Sequence, residues 1–131
     1  MEMAGFTTYL QQELLDHIFG NGAYSAPTVY IGLYTAAPTD AGGGTEVSGG
    51  DYARVNASAL FGAASGTAIA NDGAITFPTA SASWGTITHF GVFDASTAGN
   101  LLVWGAVTPN KAVGSGDTAS FGAGDLDVTL D

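Results

Sequence analysis

Two periods divide the chain. Near the start, Phe6, Leu10, Leu14 and Ile18 recur every four positions and line one face of a helix within residues 6–20. Thr8 followed by Gln11 fits a capping box, in which a hydroxyl and an amide each satisfy an orphan backbone donor. That cap starts the helix nearer residue 9 and leaves Phe6 packed just ahead of it. Gly20-Asn21-Gly22 tolerates the positive φ at which helices commonly stop. From Thr28 onward the period becomes two. Val29, Ile31 and Leu33 alternate with Tyr30, Gly32 and Tyr34, so one face is core and the other presents two tyrosines around a glycine. Residues 87–93 repeat this alternation more weakly. The run 101–107 is almost continuously apolar, as in a strand covered on both sides. Leu126, Val128 and Leu130 alternate with Asp127, Thr129 and Asp131, which predicts a half-buried strand with its acids in water.

Turn chemistry separates these runs. Asn71-Asp72-Gly73, the 94–100 stretch and Gly114-Ser-Gly116-Asp117 read as hairpin-type connections. Pro38, Pro78 and Pro109 each follow a predicted strand, where a missing amide hydrogen breaks no ladder. Seven or eight short strands at this spacing predict a mainly β fold over a single domain, residues 1–131. The expected architecture is a β-sandwich of jelly-roll or Greek-key type over 28–131, preceded by one N-terminal α-helix. Residues 39–51 stand apart, with five glycines and three acids among thirteen positions. Their one aliphatic larger than alanine is Val47, too little to fill a core. The expectation is a loop ordered by another chain, so that deleting 41–50 leaves the isolated domain folded.

Composition narrows the function. Arg54 and Lys111 oppose twelve acids, for a formal charge of −10, and two cations cannot neutralise a phosphate backbone. Nucleic acid is therefore not an expected partner. There is no cysteine, hence no disulfide or thiolate metal site. No apolar run approaches the roughly 20 residues of a membrane-crossing helix, and the first ten residues lack the basic region of a signal peptide. Charged residues make up 11% of the chain against about a quarter in ordinary soluble domains. A surface so poor in long mobile side chains tolerates being covered by neighbours.

Chemistry is sparse. His17 and His89 lie in different elements and read as packing residues, and no Gly-x-Ser-x-Gly elbow occurs. Asp125 and Asp127 share a strand face, but a solvated acidic face explains them without calcium. Residues 114–119 match a dinucleotide fingerprint only formally, because no helix is predicted to follow. No catalytic residue, cofactor or metal is expected. Arg54, close to Tyr52, is the residue to watch: an Arg–carboxylate pair or stacking on an aromatic ring would pin the end of the glycine-rich loop. Tyr30, Tyr34, Tyr52, Trp84 and Trp104 could alternatively offer rings to a sugar, as in a small carbohydrate-binding module.

Several stretches together resemble a known family. They are Tyr30-Ile-Gly-Leu-Tyr-Thr-Ala-Ala-Pro-Thr-Asp40, Gly42-Gly43-Gly44, Glu46-Val47, Tyr52-Ala53-Arg54-Val55, Ile75-Thr-Phe-Pro-Thr79, Trp84-Gly-Thr-Ile-Thr-His-Phe-Gly-Val-Phe-Asp94, Gly99-Asn-Leu-Leu102 and Gly124-Asp-Leu126. Over nearly its whole length the chain is similar to small structural proteins of tailed bacteriophages, often labelled tail-fibre proteins. The resemblance implies a non-enzymatic virion component made in the host cytoplasm. Compactness, the lack of repeats and the negative charge favour a capsid decoration, or cement, protein on the head exterior, as a homotrimer bound to the major capsid protein or neighbouring virion subunits. A tail or tail-fibre component is the alternative. The expected interface comprises Phe6, Leu10 and Leu14 on the helix, with Gly42, Gly43, Gly44, Glu46, Val47 and Arg54 in and beside the loop.

Overall fold

A computed structural model describes residues 4–130. The chain is mainly β, with antiparallel strands and one helix. Strand β1 (Ala4–Phe6) leads directly into helix α1 (Thr8–Ile18). Next come β2 (Tyr30–Ala36), β3 (Thr45–Glu46), β4 (Val55–Asn56), β5 (Ala68–Ala70) and β6 (Ile75–Thr76). The chain continues with the long β7 (Gly85–Phe93) and β8 (Leu101–Val113), then β9 (Ser120–Phe121) and β10 (Asp127–Thr129). The principal sheet runs β1-β8-β7-β2-β3, with β4 also paired to β2. Two separate ribbons, β5 with β10 and β6 with β9, form the opposing layer, so the arrangement is sandwich-like with a broken second sheet.

Register decides what each face carries, because residues directly opposite in antiparallel strands share a face. Ile31, Val92, Val103 and Phe6 make one cross-strand row, and Leu33 with Phe90 makes the next. These rows meet the ribbons: Phe90 packs edge-on against Phe121, which does the same to Phe77. Ile31, Phe90, Ile75 and Leu126 are fully buried there. On the reverse face the row Gly32–Gly91–Trp104 lies between Tyr34–His89 and Tyr30–Phe93. That face is also covered, since Tyr34 is only 4% exposed. The sequence pattern placed the two tyrosines outward, but Tyr34 is buried with Glu46 of the returning segment opposite it, and Tyr30 is half-buried.

The helix begins one residue earlier than the capping box predicts. Thr7 is the N-cap, accepting from the Leu10 amide at 3.3 Å, while its hydroxyl donates to the Leu101 carbonyl at 2.7 Å. Gln11 reaches the Phe6 carbonyl at 3.4 Å instead of an amide of Thr8. Phe6 belongs to β1, and Gly20, at φ +81°, follows the helix end as predicted. The four-residue stripe is used only in part. Leu10 is buried and Leu14 half-buried, whereas Ile18 is 69% exposed.

Elsewhere two expected hairpins are turns of another kind. Asn71-Asp72-Gly73 links β5 to β6, and 114–117 links β8 to β9, but each of these strands pairs with a different partner. The 94–100 turn does close the β7–β8 hairpin. Pro109 lies inside β8, after a cis peptide bond, where the pairing with β7 shifts register. Asp127 and Val128 hold their predicted strand, Leu130 is 53% exposed, and Asp131 lies outside the described residues.

Candidate functional site

The most concentrated polar chemistry in the described chain is built around Arg54. Its starting point is the pair of glycines on the reverse face of the sheet. A Cβ at Gly32 would stand 2.9 Å from the Phe93 ring, and one at Gly91 would stand 3.1 Å from it. The missing side chains leave a trough that the Phe93 ring fills, with Tyr34 stacked beside it at 6.1 Å between centroids. The Arg54 guanidinium lies over the ring, 3.5 Å from its centroid, as a cation attracted to the negative face of the π system.

Every edge of that guanidinium is engaged. Nε donates to Glu46 Oε2 and one terminal nitrogen to Glu46 Oε1, both at 2.8 Å, which is the bidentate fork that suits arginine. The other terminal nitrogen donates to the carbonyls of Ala95 and Ala98, at 2.9 and 2.8 Å, in the turn joining β7 and β8. The Arg54 side chain is 7% exposed and that of Glu46 24%. One residue therefore ties together the segment before β4, the glycine-rich segment and the β7–β8 turn.

Tyr52 completes the cluster. Strand β2 pairs with β4 at one end and β3 at the other, leaving a gap in the ladder at Leu33. The Tyr52 hydroxyl fills it, accepting from the Leu33 amide at 2.9 Å and donating to Glu46 Oε2 at 2.7 Å. Its ring packs edge-on against Trp84 at 5.3 Å, and Trp84 Nε1 donates to the Gly50 carbonyl at 2.9 Å. Burial and the hydrogen bond to Glu46 raise the Tyr52 pKa well above the ordinary phenol value. Burial raises that of Tyr34 to about 12, with the Glu46 carboxylate adding to the shift. Both phenols are thus held neutral by the fold. Their contribution to stability is complete below pH 10 and is lost as pH rises through the raised folded values. Chemical denaturation should show stability falling above pH 10, and Tyr52→Phe should flatten that fall.

The glycine-rich segment is ordered by its own chain, which corrects the sequence expectation. Thr39 and Gly42 exchange backbone hydrogen bonds at 2.8 and 2.9 Å. Asp40 binds both ends of its neighbourhood, accepting from Trp104 Nε1 at 2.9 Å through its carboxylate and from the Thr8 amide at 3.1 Å through its carbonyl. Gly44, at φ +75°, turns so tightly that a Cβ would stand 2.7 Å from the Pro38 nitrogen. Glu46 then pairs with Tyr34, and Val47 enters the core at 6% exposed. The segment cannot fill a core alone, but it needs only one aliphatic to be anchored in this one.

Of the residues expected at an interface, Leu10, Val47 and Arg54 are buried in the chain, and Glu46 is committed to Arg54 and Tyr52. Their side chains are held by contacts within the chain, and the Glu46 carboxylate stays partly exposed at the edge of the cluster. Gly43 and Gly44 are exposed, and Gly42, Phe6 and Leu14 are half-buried. The expected Arg–carboxylate pair and the expected aromatic contact of Arg54 both occur. The sequence reading missed Phe93 and the glycine trough. The signal was present: Tyr30-Ile-Gly-Leu-Tyr34 and His89-Phe-Gly-Val-Phe93 each set a glycine among aromatics, and the two glycines pair across the sheet. Gly32→Ala should lower stability by roughly 1–3 kcal/mol through overpacking, because its Cβ would stand 2.8 Å from Glu46 Oε2. An unchanged melting temperature would show that the cluster is looser than described.

A groove of about 600 Å³ opens above the cluster, between Tyr9, the three glycines 42–44 and Asn100. Neither histidine reaches it: His17 accepts from the Tyr24 amide at 3.0 Å, and His89 lies against Trp104. Of the five rings weighed for sugar binding, Tyr30 is half-buried and the other four are engaged within the chain. Tyr34 and Trp84 are buried, Tyr52 is enclosed by other rings, and the Trp104 indole N–H is taken by Asp40. The cluster is a clasp, a set of polar groups satisfied by one another.

Comparison with known proteins fits an architectural role. No curated protein matches the chain. The family described as Podophage GP4 fiber I protein gp80 matches residues 5–129, from within β1 to the end of β10. The chain belongs to this family of phage virion structural proteins.

Proposed function

We propose that this chain is a non-enzymatic subunit of a podophage fibre, working as a homotrimer among other virion subunits. The observation that carries this reading is the fibre-family match across residues 5–129. The clasp supports it. Arg54, Glu46 and Tyr52, which in an enzyme would be candidates for substrate contact, spend their hydrogen bonds on each other and on the backbone. The result is a small domain whose loops are fixed from within, suited to bearing load.

The competing placement is a decoration protein on the head shell, bound to the major capsid protein. The compact domain and its charge of −10 favour an outward-facing position of this kind. Particles produced without the chain separate the two. A fibre subunit leaves heads filled and stable but stripped of appendages, and adsorption fails. Heads that lose DNA under osmotic shock while keeping their appendages would overturn the fibre assignment in favour of decoration.

A further inference from the structure

Of the five asparagines in the chain, only Asn21 is followed by glycine. Phe19 caps the helix, Gly20 turns at φ +81°, and the Asn21 amide donates to the Asp16 carbonyl at 2.8 Å. That is the long bond of a Schellman helix ending. It fixes the backbone ahead of Asn21 and nothing beyond it. Asn21 and Gly22 are exposed, and among the described residues neither the Asn21 side chain nor the Gly22 amide has a hydrogen-bond partner. A Cβ at Gly22 would meet nothing within 4 Å.

Such a step reacts without a catalyst. The backbone nitrogen of Gly22, on losing its proton, attacks Cγ of the Asn21 side chain and expels ammonia, closing a succinimide ring. Water then opens either carbonyl of the ring and leaves aspartate or isoaspartate. Glycine favours the attack because no side chain shields its nitrogen or restricts the peptide as it swings towards Cγ.

The other candidates are restrained. Asn71 is buried, and its side-chain amide donates to the carbonyls of Gly73 and Gly122 at 2.8 and 2.9 Å. The Asn100 side chain donates to Asp94 at 3.0 Å, and that of Asn56 accepts from the Ser58 amide at 3.1 Å. Asn110 lies within β8 and is followed by the long side chain of Lys111. Asp72-Gly73 could close the same ring, but its Gly73 nitrogen donates to the Leu60 carbonyl at 3.3 Å.

We infer that Asn21 is a site of spontaneous deamidation, at which the folded protein gains a negative charge just beyond its helix. Groups held by burial or hydrogen bonds must wait for local opening, and Asn21 does not. The new carboxylate stands at the negative end of the helix dipole. Isoaspartate also adds a methylene to the backbone between the helix and Tyr24, whose amide donates to His17 Nδ1 at 3.0 Å. The change loosens this turn and leaves the clasp, which contains none of these residues, intact. It needs only the folded chain and water, whatever the position of the chain in the virion.

The test is peptide mapping by mass spectrometry, with enzymatic methylation of isoaspartate, on full chain held at physiological temperature and mildly alkaline pH. Asn21 should convert at least about tenfold faster than any other asparagine, and faster still as pH rises. Gly22 lies outside the left-handed region, so Gly22→Val should fold with an unchanged melting curve. Its branched side chain should slow conversion at Asn21 by about tenfold or more. Equal conversion at Asn21 and at the restrained asparagines, or a Gly22→Val chain that ages as fast as the wild type, would overturn the inference.

Discussion

Arg54→Ala should cost the domain about 3–5 kcal/mol, a fall of roughly 10–20 °C in Tm. The magnitude follows from what is left behind. Glu46 would remain as a partly buried carboxylate without its cation, the carbonyls of Ala95 and Ala98 would lose their donor, and Phe93 would lose the plate that covers it. Arg54→Lys should recover only part of the loss, because an ammonium cannot make a two-pronged contact with Glu46 while also reaching two carbonyls. A double-mutant cycle with Glu46→Ala should show a coupling of roughly 1–3 kcal/mol. An Arg54→Ala protein that melts within a degree or two of the wild type would mean that the clasp contributes nothing.

Deleting residues 41–50 should have the larger effect and abolish cooperative unfolding. The deletion removes β3, the buried Val47, the Glu46 partner of Arg54 and the Gly50 carbonyl that receives Trp84 Nε1. Burial of Val47 is worth about 1.5–3 kcal/mol and the orphaned arginine about 3–5. Together these consume much of the roughly 5–15 kcal/mol that holds an ordinary domain together. Near-UV circular dichroism should lose its fixed aromatic signals. A deleted protein with an intact melting transition would restore the view that another chain orders this segment.

The parts of the fold governed by local pattern were legible in the sequence. The apolar alternation of Ile31 and Leu33 placed β2, and the glycines after Ile18 placed the end of the helix. What remained hidden depended on partners far away in sequence. The capping residue is Thr7 and not Thr8 because Thr7 can also reach the carbonyl of Leu101, ninety-four positions on. Asn71-Asp72-Gly73 has the composition of a hairpin turn, yet β5 finds its partner in β10, which no local signal announces. Arg54 stood out as one of two cations, and its need for a carboxylate and a ring could be anticipated. That the carboxylate is Glu46 and the ring Phe93 follows from two glycines meeting across β2 and β7. The 39–51 segment was misread because glycine content describes the freedom of the unfolded chain. Its order in the fold comes from Asp40, Glu46 and Val47, spaced along it as anchors.

Whether a clasped domain of this family builds a fibre can be seen in a cryo-electron microscopy map of the whole particle. Density fitting this domain is expected within the appendages, in adjoining copies, with the 39–54 segment folded back on its own sheet. Density for the domain spread over the facets of the head, with that segment reaching into a neighbouring chain, would contradict it.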